Sequence, residues 1–304
     1  MFQQPKYIVG LGELLFDFID HQPVLGGAPV NFAIQSHQLL KLHGFQGAAA
    51  VRLGKDDLAK RALHELQRFG LATEYIQHDP LRPTGTAIVH RERDGHRFEI
   101  VENACWDHYQ WDDRLEQLCK KAAVVCFGTL GQRSPQSRHT IRRFVESASH
   151  AIRVFDVNIR QHYFDADTVL HGCENADILK LNHEEVPLVA SSLGRSTQDS
   201  HLQLCQEIRA HFDLRFLVYT QGKLGTTVIT KDSVTAESPG HFPPVENADS
   251  VGAGDACTAG IIAGAILKLS LQETVLLANK LGAFVASQHG ATPVLPDFLL
   301  PEMN

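Results

Sequence analysis

The stretch DSVGAGDACTAGII at residues 249–262 joins a turn of small residues to the start of an apolar helix. Gly252, Ala253 and Gly254 leave main-chain N–H groups uncovered, and the helix that follows directs its partial positive charge to the same place. A phosphoryl group fits there. Asp255 lies in the first helical turn, where its carboxylate can remove a proton from an incoming hydroxyl. The pattern therefore predicts a base beside an anion hole, with an ordinary loop and N-cap as the alternative.

A second glycine motif, GGAPVNFA, occupies residues 26–33. Its two glycines let the main chain approach a ligand, Pro29 suits a first helical turn, and Asn31 offers a donor and acceptors at the helix start. These are the requirements of polyol recognition, because each sugar hydroxyl both donates and accepts. Asp17, placed just after the first predicted strand, supplies a carboxylate to the same site.

Short β-branched or apolar runs alternate with longer helical patterns, which predicts an α/β fold with a mostly parallel sheet. The predicted strands are residues 6–11, 47–51, 123–127, 153–157, 178–181, 216–220 and 226–230. The predicted helices are residues 29–42, 56–69, 136–150, 198–211, 253–267 and 271–289. No linker-like segment divides the chain, so we expect one domain over residues 1–304.

One segment departs from this alternation. Residues 84–91 and 97–102 alternate around Asp94-Gly95, a dipeptide that favours a tight hairpin turn. We expect a hairpin that stands off the main sheet and either covers a pocket or contacts a second subunit; an edge addition to the main sheet is the alternative. With the short segment after Asp17, it predicts a small β lid formed by roughly 14–26 and 84–104.

The 304 residues are 43% hydrophobic and 21% charged, with a net charge of −7, which is ordinary for a globular protein. No basic run is interleaved with aromatic residues, so we expect neither nucleic acid nor an anionic membrane as a partner. The first residues lack a signal-peptide pattern and no stretch of about 18 apolar residues occurs, so we expect a cytoplasmic protein. Six cysteines without a C-x-x-C pair predict reduced, mostly buried thiols.

Other glycine-loop chemistries are excluded by spacing. Leu15 stands where a dinucleotide fingerprint beginning at Gly10 needs its third glycine, and Cys257 stands at the equivalent place in GAGDAC. The chain contains neither G-x-x-x-x-G-K-[ST] nor G-x-S-x-G. A dehydrogenase, an ordinary P-loop enzyme and an α/β-hydrolase are therefore not expected.

Together, GGAPVN and DSVGAGD resemble the two signature motifs of the ribokinase-like (PfkB-type) carbohydrate kinase family. The resemblance runs from GLGELLFD at residues 10–17 to HGATPVLP at residues 289–296. The segments between resemble the fructokinase-like branch in the expected order: DVNIR (156–160), LKLNHEEV (179–186) and TQGKLG (220–225). The resemblance implies a three-layer α/β/α fold and transfer of the ATP γ-phosphate to a sugar hydroxymethyl group, with Mg²⁺.

Carried over by position, the resemblance makes Asp255 the catalytic base and residues 252–254 the anion hole. The resemblance and the local charges together give the sugar-side positions, which are Asp17, Gly27, Asn31, Glu102, Asn158 and Arg160. The nucleotide-side positions are Lys180, Asn182, Thr220, Gly222, Gly225 and Asn279. For metals it gives Glu185, which would hold Mg²⁺ through water, and Asp249 with the Val251 carbonyl, which resemble a loop for a monovalent cation such as K⁺. For Arg160 and Lys180 a surface charge is the alternative, and for Glu102 it is ordinary hairpin packing.

Fructose is the acceptor that this branch implies. The other acceptors left open are 2-keto-3-deoxygluconate, ribose, which GGAP in place of GGKG disfavours, and a nucleoside. A sugar-binding homologue without turnover is the alternative from another class. A homodimer through the lid is a further expectation.

Overall fold

The computed structural model describes residues 6–19, 22–92 and 95–302, and their strands and helices alternate as predicted. In chain order the strands are β1 (Lys6–Leu11), β2 (Leu15–Ile19), β3 (Gln22–Gly26), β4 (Phe45–Ala50), β5 (Arg52–Leu53), β6 (Gln77–His78), β7 (Gly85–Glu92), β8 (Gly95–Ile100), β9 (Ala122–Phe127), β10 (Ile152–Asp156), β11 (Ile178–Asn182), β12 (Phe216–Thr220), β13 (Thr226–Ile229) and β14 (Val234–Glu237). The helices are α1 (Ala28–Leu40), α2 (Asp57–Arg68), α3 (Asp113–Lys121), α4 (Pro135–Ser147), α5 (Ala166–Glu174), α6 (Glu185–Ser192), α7 (His201–His211), α8 (Ala253–Leu267) and α9 (Leu271–Ala286). Short 3₁₀ turns cover Lys41–His43, Cys105–His108, Leu130–Gln132, Gly222–Leu224 and Asp297–Leu299.

Several helices begin where a side chain caps their first turn. Asp56 Oδ1 accepts the N–H of Ala59 at 2.8 Å, so α2 begins at Asp57, one residue after the predicted start. Ser200 caps α7, which therefore begins three residues later than predicted. The predictions missed α3, α5 and α6. These helices are short, and the aspartates that cap α3 and α5, Asp112 and Asp165, were the available signal.

Within the described residues the main sheet has the order β14-β13-β12-β11-β10-β9-β1-β4. The strands from β12 to β4 pair parallel, and β13 and β14 add antiparallel pairs at one edge. One face of the sheet packs against α1, α8 and α9, and the other against α3, α4, α5, α6 and α7. This is the predicted three-layer α/β/α architecture with a mostly parallel sheet.

A separate sheet has the order β3-β2-β7-β8 and consists of the two segments predicted as the lid. β7 and β8 pair antiparallel as the predicted hairpin, so the alternative of an addition to the main sheet is wrong. Asp94, half of the predicted turn, lies outside the described residues. Asp17, predicted just after the first strand, lies instead inside β2, opposite Val24 and Ala87. The chain leaves the main sheet early, because residues 12–14 alone connect β1 to β2.

The carboxyl ends of the parallel strands lie along one edge of the main sheet, which is where open α/β folds bind ligands. None of the helices in the described ranges has the length and apolar character needed to span a bilayer. The six cysteines are buried free thiols.

Candidate active site

Asp255 lies in the first turn of α8 with 9% of its surface exposed. Asn31 of α1 donates its Nδ2 to Asp255 Oδ2 at 2.8 Å. Burial, and after it the charge of Asp156, raise the pKa of Asp255 to about 6. The Asn31 hydrogen bond, Lys180 and Arg160 lower that pKa. Asp255 is therefore more basic than an exposed aspartate and still mostly ionised at pH 7, as a general base requires.

The turn before Asp255 is the segment predicted as the anion hole, and one of its three N–H groups is already paired. Gly252 takes the left-handed conformation at φ 77°, which glycine adopts without strain. The N–H groups of Gly252 and Gly254 have no acceptor in the described part of the chain, whereas the N–H of Ala253 already donates to Ser250 O at 3.3 Å. Two of the three predicted N–H groups are therefore free to bind an anion.

Lys180 adds a positive charge to this turn. A methyl group placed on Gly254 would lie 3.2 Å from Lys180 Nζ, so the ammonium lies directly against the glycine. Lys180 forms a buried 2.9 Å ion pair with Asp156 Oδ1, its neighbour in the β10–β11 register. Burial lowers the pKa of Lys180, but the charges of Asp156 and Glu185 raise it to above its usual value overall. Lys180 is thus a buried cation, not the surface charge that was the alternative.

Asp156 is a site residue to which the sequence analysis assigned no role. It holds Lys180 through Oδ1, and Thr258 Oγ1 lies 3.3 Å from its Oδ2 while donating to Gly254 O at 3.0 Å. The three side chains therefore tie β10 and β11 to the first turn of α8. The available signal was position, because Asp156 ends a parallel strand at the ligand-binding edge.

The predicted sugar-side residues come from the lid, from the start of α1 and from the 156–160 loop. Asp17 is 8% exposed, and burial raises its pKa to about 6 although Arg160 lowers it. Gly27 allows a close main-chain approach, because a Cβ there would lie 2.6 Å from the carbonyl oxygen of Glu13. Arg160 is exposed, and its charge also lowers the pKa of Glu13 and Asp255. Arg160 therefore lies within electrostatic reach of all three carboxyls.

The two other sugar-side predictions are Asn158 and Glu102. Asn158 has a positive φ of 41°, and its carbonyl lies 3.4 Å from Thr129 Oγ1. Glu102 is exposed and accepts a hydrogen bond from Tyr163 Oη at 3.0 Å. It lines an open pocket of about 360 Å³ beside Arg133. Neither side chain contacts Asp255 or Asn31 directly, so their roles stay predictions.

Asn182 and Glu185 form a hydrogen-bonded pair at the start of α6. Asn182 Oδ1 accepts the N–H of Glu184 at 2.8 Å and that of Glu185 at 3.1 Å. Glu185 Oε2 accepts the N–H of Asn182 at 2.8 Å, and its Oε1 accepts the N–H of Ile159 at 2.9 Å. Burial raises the pKa of Glu185, and Lys180 opposes this. The pair fixes the start of α6 against the 156–160 loop.

The remaining nucleotide-side predictions begin at the end of β12. Thr220 ends that strand, and Gly222 opens the 3₁₀ turn after it. The main chain of Gly225 packs against the carbonyl of Glu237. Asn279 Nδ2 donates to the same carbonyl at 2.6 Å, which ties α9 to β14. These residues share one region next to Asn182, but their side chains do not enter the hydrogen-bond network of Asp255.

Asp249 organises the loop predicted to hold a monovalent cation. Its Oδ1 accepts the N–H of Val251 and its Oδ2 the N–H of Gly290, both at 3.0 Å. His289 Nδ1 lies 3.4 Å from Asp249 Oδ2. The loop before α8 is therefore joined to the segment after α9. No group of three or more His, Cys, Asp or Glu side chains among the described residues is arranged to hold a metal ion by itself.

Known proteins resemble this chain over most of its length. The model of the pfkB family carbohydrate kinases matches residues 19–297. The Arabidopsis thaliana protein named "Probable fructokinase-6, chloroplastic" is 27% identical over 97% of this chain and 81% of its own length. The Klebsiella pneumoniae fructokinase is 28% identical over 89% of this chain and 88% of its own.

Solved structures share the fold. The fructokinase of Xylella fastidiosa with bound ATP superposes with a TM-score of 0.77 at 20% identity, covering 97% of this chain and 95% of that one. The fructokinase of Vibrio cholerae O395 in its fructose, ADP and calcium ion bound form gives a TM-score of 0.74 at 21% identity, covering 97% of each chain. At this identity the likeness establishes a common architecture.

Proposed function

Because the chain belongs to the pfkB family of carbohydrate kinases, it is a sugar kinase, and we propose that it transfers the γ-phosphate of ATP to a hydroxymethyl group of fructose. One observation carries the proposal: the buried carboxylate of Asp255, held by Asn31 at 2.8 Å, follows directly on a turn with two unpaired N–H groups. A base and an anion site thus occupy adjacent positions at one helix start.

The chemistry follows from this placement. Asp255 accepts the proton of the sugar's hydroxymethyl group as its oxygen attacks the γ-phosphorus. The bond to the bridging oxygen breaks, and ADP leaves. The N–H groups of Gly252 and Gly254 and the ammonium of Lys180 stabilise the negative charge on the phosphoryl group during transfer. Asn31 holds the carboxylate in position, which keeps the reacting atoms close.

ATP and Mg²⁺ complete the proposal. The free N–H groups and Lys180 fit the phosphates of ATP, and Thr220, Gly222, Gly225 and Asn279 would flank the nucleotide. Mg²⁺ prefers oxygen ligands and usually keeps several waters, which fits the oxygens of Asn182 and Glu185 acting through water. When bound, Mg²⁺ neutralises charge on the ATP phosphates.

Fructose is favoured over 2-keto-3-deoxygluconate and a nucleoside by the named relatives, by the charge of the site and by the aromatic faces that are already covered. The relatives named above are fructokinases, and the Vibrio cholerae structure is a fructose-bound form. An acidic sugar such as 2-keto-3-deoxygluconate would bring a carboxylate near the carboxylates of Asp17 and Asp255. Among the predicted sugar-side residues, Arg160 supplies the positive charge that would oppose this repulsion. A nucleoside base needs an aromatic face, but the guanidinium of Arg133 already lies 3.9 Å over Trp106 and 4.8 Å over Tyr163.

The proposal extends to the lid, to a monovalent cation and to a second subunit. We expect the β3-β2-β7-β8 sheet to close over the sugar and exclude water, with Glu102 at its edge, which limits wasteful ATP hydrolysis. Asp249 and the Val251 carbonyl are proposed to hold K⁺. A lid-mediated homodimer and a cytoplasmic location stay predictions.

The experiment is a coupled ATPase assay of the purified protein with fructose, other hexoses, 2-keto-3-deoxygluconate, ribose and adenosine. We expect the highest kcat/KM with fructose and dependence on Mg²⁺. A higher kcat/KM with any other acceptor would contradict fructose as the substrate. The absence of turnover with every acceptor would favour a sugar-binding homologue without catalysis, against which the intact Asp255 and glycine turn argue.

A further inference from the structure

Glu13 is a buried carboxyl for which neither the motifs nor the proposed mechanism supplies a role. It lies in the connection between β1 and β2 and is 3% exposed. Its Oε2 is fully buried and makes no hydrogen bond within the described residues. A buried carboxyl oxygen without a partner is costly, so such an atom in a folded protein calls for a partner that the protein alone does not supply.

The surroundings of Glu13 place that missing partner on the sugar side. Glu13 lines a partly enclosed cavity of about 10 Å³. The walls come from the GGAP motif, through Ala28 and Pro29, from the 156–160 segment, through Asp156 and Asn158, and from residues 126–130 at the end of β9. The first two of these segments carry residues predicted to bind the sugar. A cavity of this size accommodates one hydroxyl group or one water molecule.

The charge state of Glu13 suits a hydroxyl partner. Burial raises the pKa of Glu13 to about 7, with Asp255 also raising it and Arg160 and Arg133 lowering it. A carboxyl that is partly protonated near neutral pH presents both a donor and an acceptor. A sugar hydroxyl needs both. The titratable and charged groups that face Glu13 are Asp255, Asp156, Cys126, Arg160 and Arg133.

We infer that Glu13 is a sugar-binding residue whose carboxyl hydrogen-bonds one of the acceptor hydroxyls that are not phosphorylated. The inference rests on the proposed function, because it takes the acceptor to be a neutral polyol such as fructose. It adds an interaction that selects the acceptor by one hydroxyl. A site that hydrogen-bonds a substrate hydroxyl discriminates strongly against analogues that lack it.

The test is a cycle of enzyme variants and substrate analogues. Glu13→Ala and wild type are assayed with fructose and with single-deoxy analogues of fructose, each lacking one of the hydroxyls that are not phosphorylated. We expect Glu13→Ala to lower kcat/KM for fructose by on the order of tenfold or more. For one deoxy analogue the two enzymes should have similar kcat/KM values, because the partner hydroxyl is already missing. The same loss for every analogue would overturn the inference, since it would indicate a structural role.

Two further variants sharpen the comparison. Glu13→Gln keeps a neutral donor and acceptor in the same volume, so it should retain most of kcat/KM for fructose; a loss as large as that of Glu13→Ala with every analogue would count against the inference. Thr129→Val is the matched control on the same cavity wall. Its Oγ1 already donates to Val157 O at 2.9 Å, so any effect should be the same factor for all analogues.

Two controls distinguish a role of Glu13 in sugar binding from misfolding of a variant and from a wrong choice of substrate. Thermal unfolding of each variant checks the fold, and Glu13→Asp, which only shortens the side chain, replaces Glu13→Ala in the same cycle if the alanine variant does not fold. If the wild type prefers another sugar, fructose as the substrate is wrong, and the cycle is run with single-deoxy analogues of that sugar. A hydroxyl-specific effect there supports the role of Glu13, and a uniform effect overturns it.

Discussion

Asp255 combines two properties at the residue scale: burial makes it basic, and Asn31 orients it. The 2.8 Å hydrogen bond from Asn31 Nδ2 occupies Oδ2 and leaves Oδ1 for the proton of the substrate. We therefore expect Asp255→Asn to keep binding of sugar and ATP while kcat falls by about 10²- to 10⁴-fold, the usual contribution of a general base. Steady-state kinetics and calorimetric titration of each ligand measure this.

The control for that variant is Asp57→Asn on α2. Asp57 is almost fully exposed and pairs with Lys60 across one helical turn, so the same chemical change there should leave kcat unchanged. Near-normal turnover in Asp255→Asn would refute its assignment as the base.

After burial, the charge of Asp156 is the second cause of the raised pKa of Asp255. With Asp255 as the proposed base, kcat/KM for the sugar should fall as the pH drops through about 6, the pKa of Asp255, because only the ionised carboxylate accepts the proton. The negative charge of Asp156 raises that pKa, so Asp156→Asn should move the acid limb of the profile to lower pH. Lys180 loses its partner in this variant, and its positive charge also lowers the pKa of Asp255. A pH profile of kcat/KM for both enzymes measures the shift.

Thr258→Val is the matched control for the pH profile. It removes the hydroxyl that lies 3.3 Å from Asp156 Oδ2 and leaves every charge in place. Its acid limb should therefore stay near that of wild type. An unchanged limb in Asp156→Asn, or an equal shift in Thr258→Val, would contradict a charge effect of Asp156 on Asp255.

The sequence singled out Asp255 and Asn31 as site residues, but it did not predict the hydrogen bond between them or the groups around them. Asp255 and Asn31 lie in motifs whose glycines and helix starts carry local physical information. Asp156 and Glu13 do not, because their importance comes from burial and from neighbours far away in the chain. Lys180 was predicted as a cation near phosphate, but its pairing with Asp156 depends on the β10–β11 register, which only the folded sheet defines.

Gly252 is the critical position at the scale of elements, because it joins the loop after β14 to α8. An alanine there would adopt φ 77°, and its Cβ would lie 2.6 to 2.7 Å from the Cβ, Cα and carbonyl oxygen of Ala291. Gly44 has a φ of 83° with nothing within 4 Å. Gly44→Ala should therefore lower the free energy of unfolding by about 1 kcal/mol through backbone strain alone. Gly252→Ala should lower it further, because the clash with Ala291 adds to the strain.

Urea unfolding and kcat of both variants test this difference. Gly252→Ala should also lose most activity, because the clash displaces an N–H group of the anion hole and the segment that contacts Asp249 through Gly290. Gly44→Ala should keep its kcat. Equal destabilisation of the two variants would show that the segment at Ala291 moves aside without cost.

Among the elements, two strands and one helix were predicted best. The bounds of β1, β12 and α8 agree with the predictions residue for residue. The helices α3, α5 and α6 were missed because each spans two to three turns, too few for a hydrophobic period to stand out. β2 was missed because Asp17 and its neighbours pair with β7, which is far away in the chain.

At the scale of the whole molecule, the site collects buried carboxyls where several strands end. Burial raises the pKa of Glu13 to about 7 and that of Asp17 and Asp255 to about 6. In the unfolded chain these groups ionise near pH 4. Between about pH 4 and pH 7 the folded protein therefore holds protons that the unfolded chain has released. Their contribution to stability is complete below pH 4 and is lost as the pH rises through 6 to 7.

These carboxyls should consequently make the unliganded protein less stable as the pH rises from 5 to 8, while His37, whose pKa burial lowers, acts in the opposite direction. Glu13→Gln should weaken the contribution of the carboxyls. The shift of Glu13 from 4.5 to about 7 corresponds to roughly 3 kcal/mol at most. The melting temperature, measured at several pH values without ligands, should thus fall less with pH in Glu13→Gln than in wild type, because the amide never ionises. Groups common to both proteins cancel in this difference. Asp57→Asn, at a highly exposed position, should follow wild type. Parallel curves for Glu13→Gln and wild type would show that Glu13 is ionised in the folded protein at pH 5.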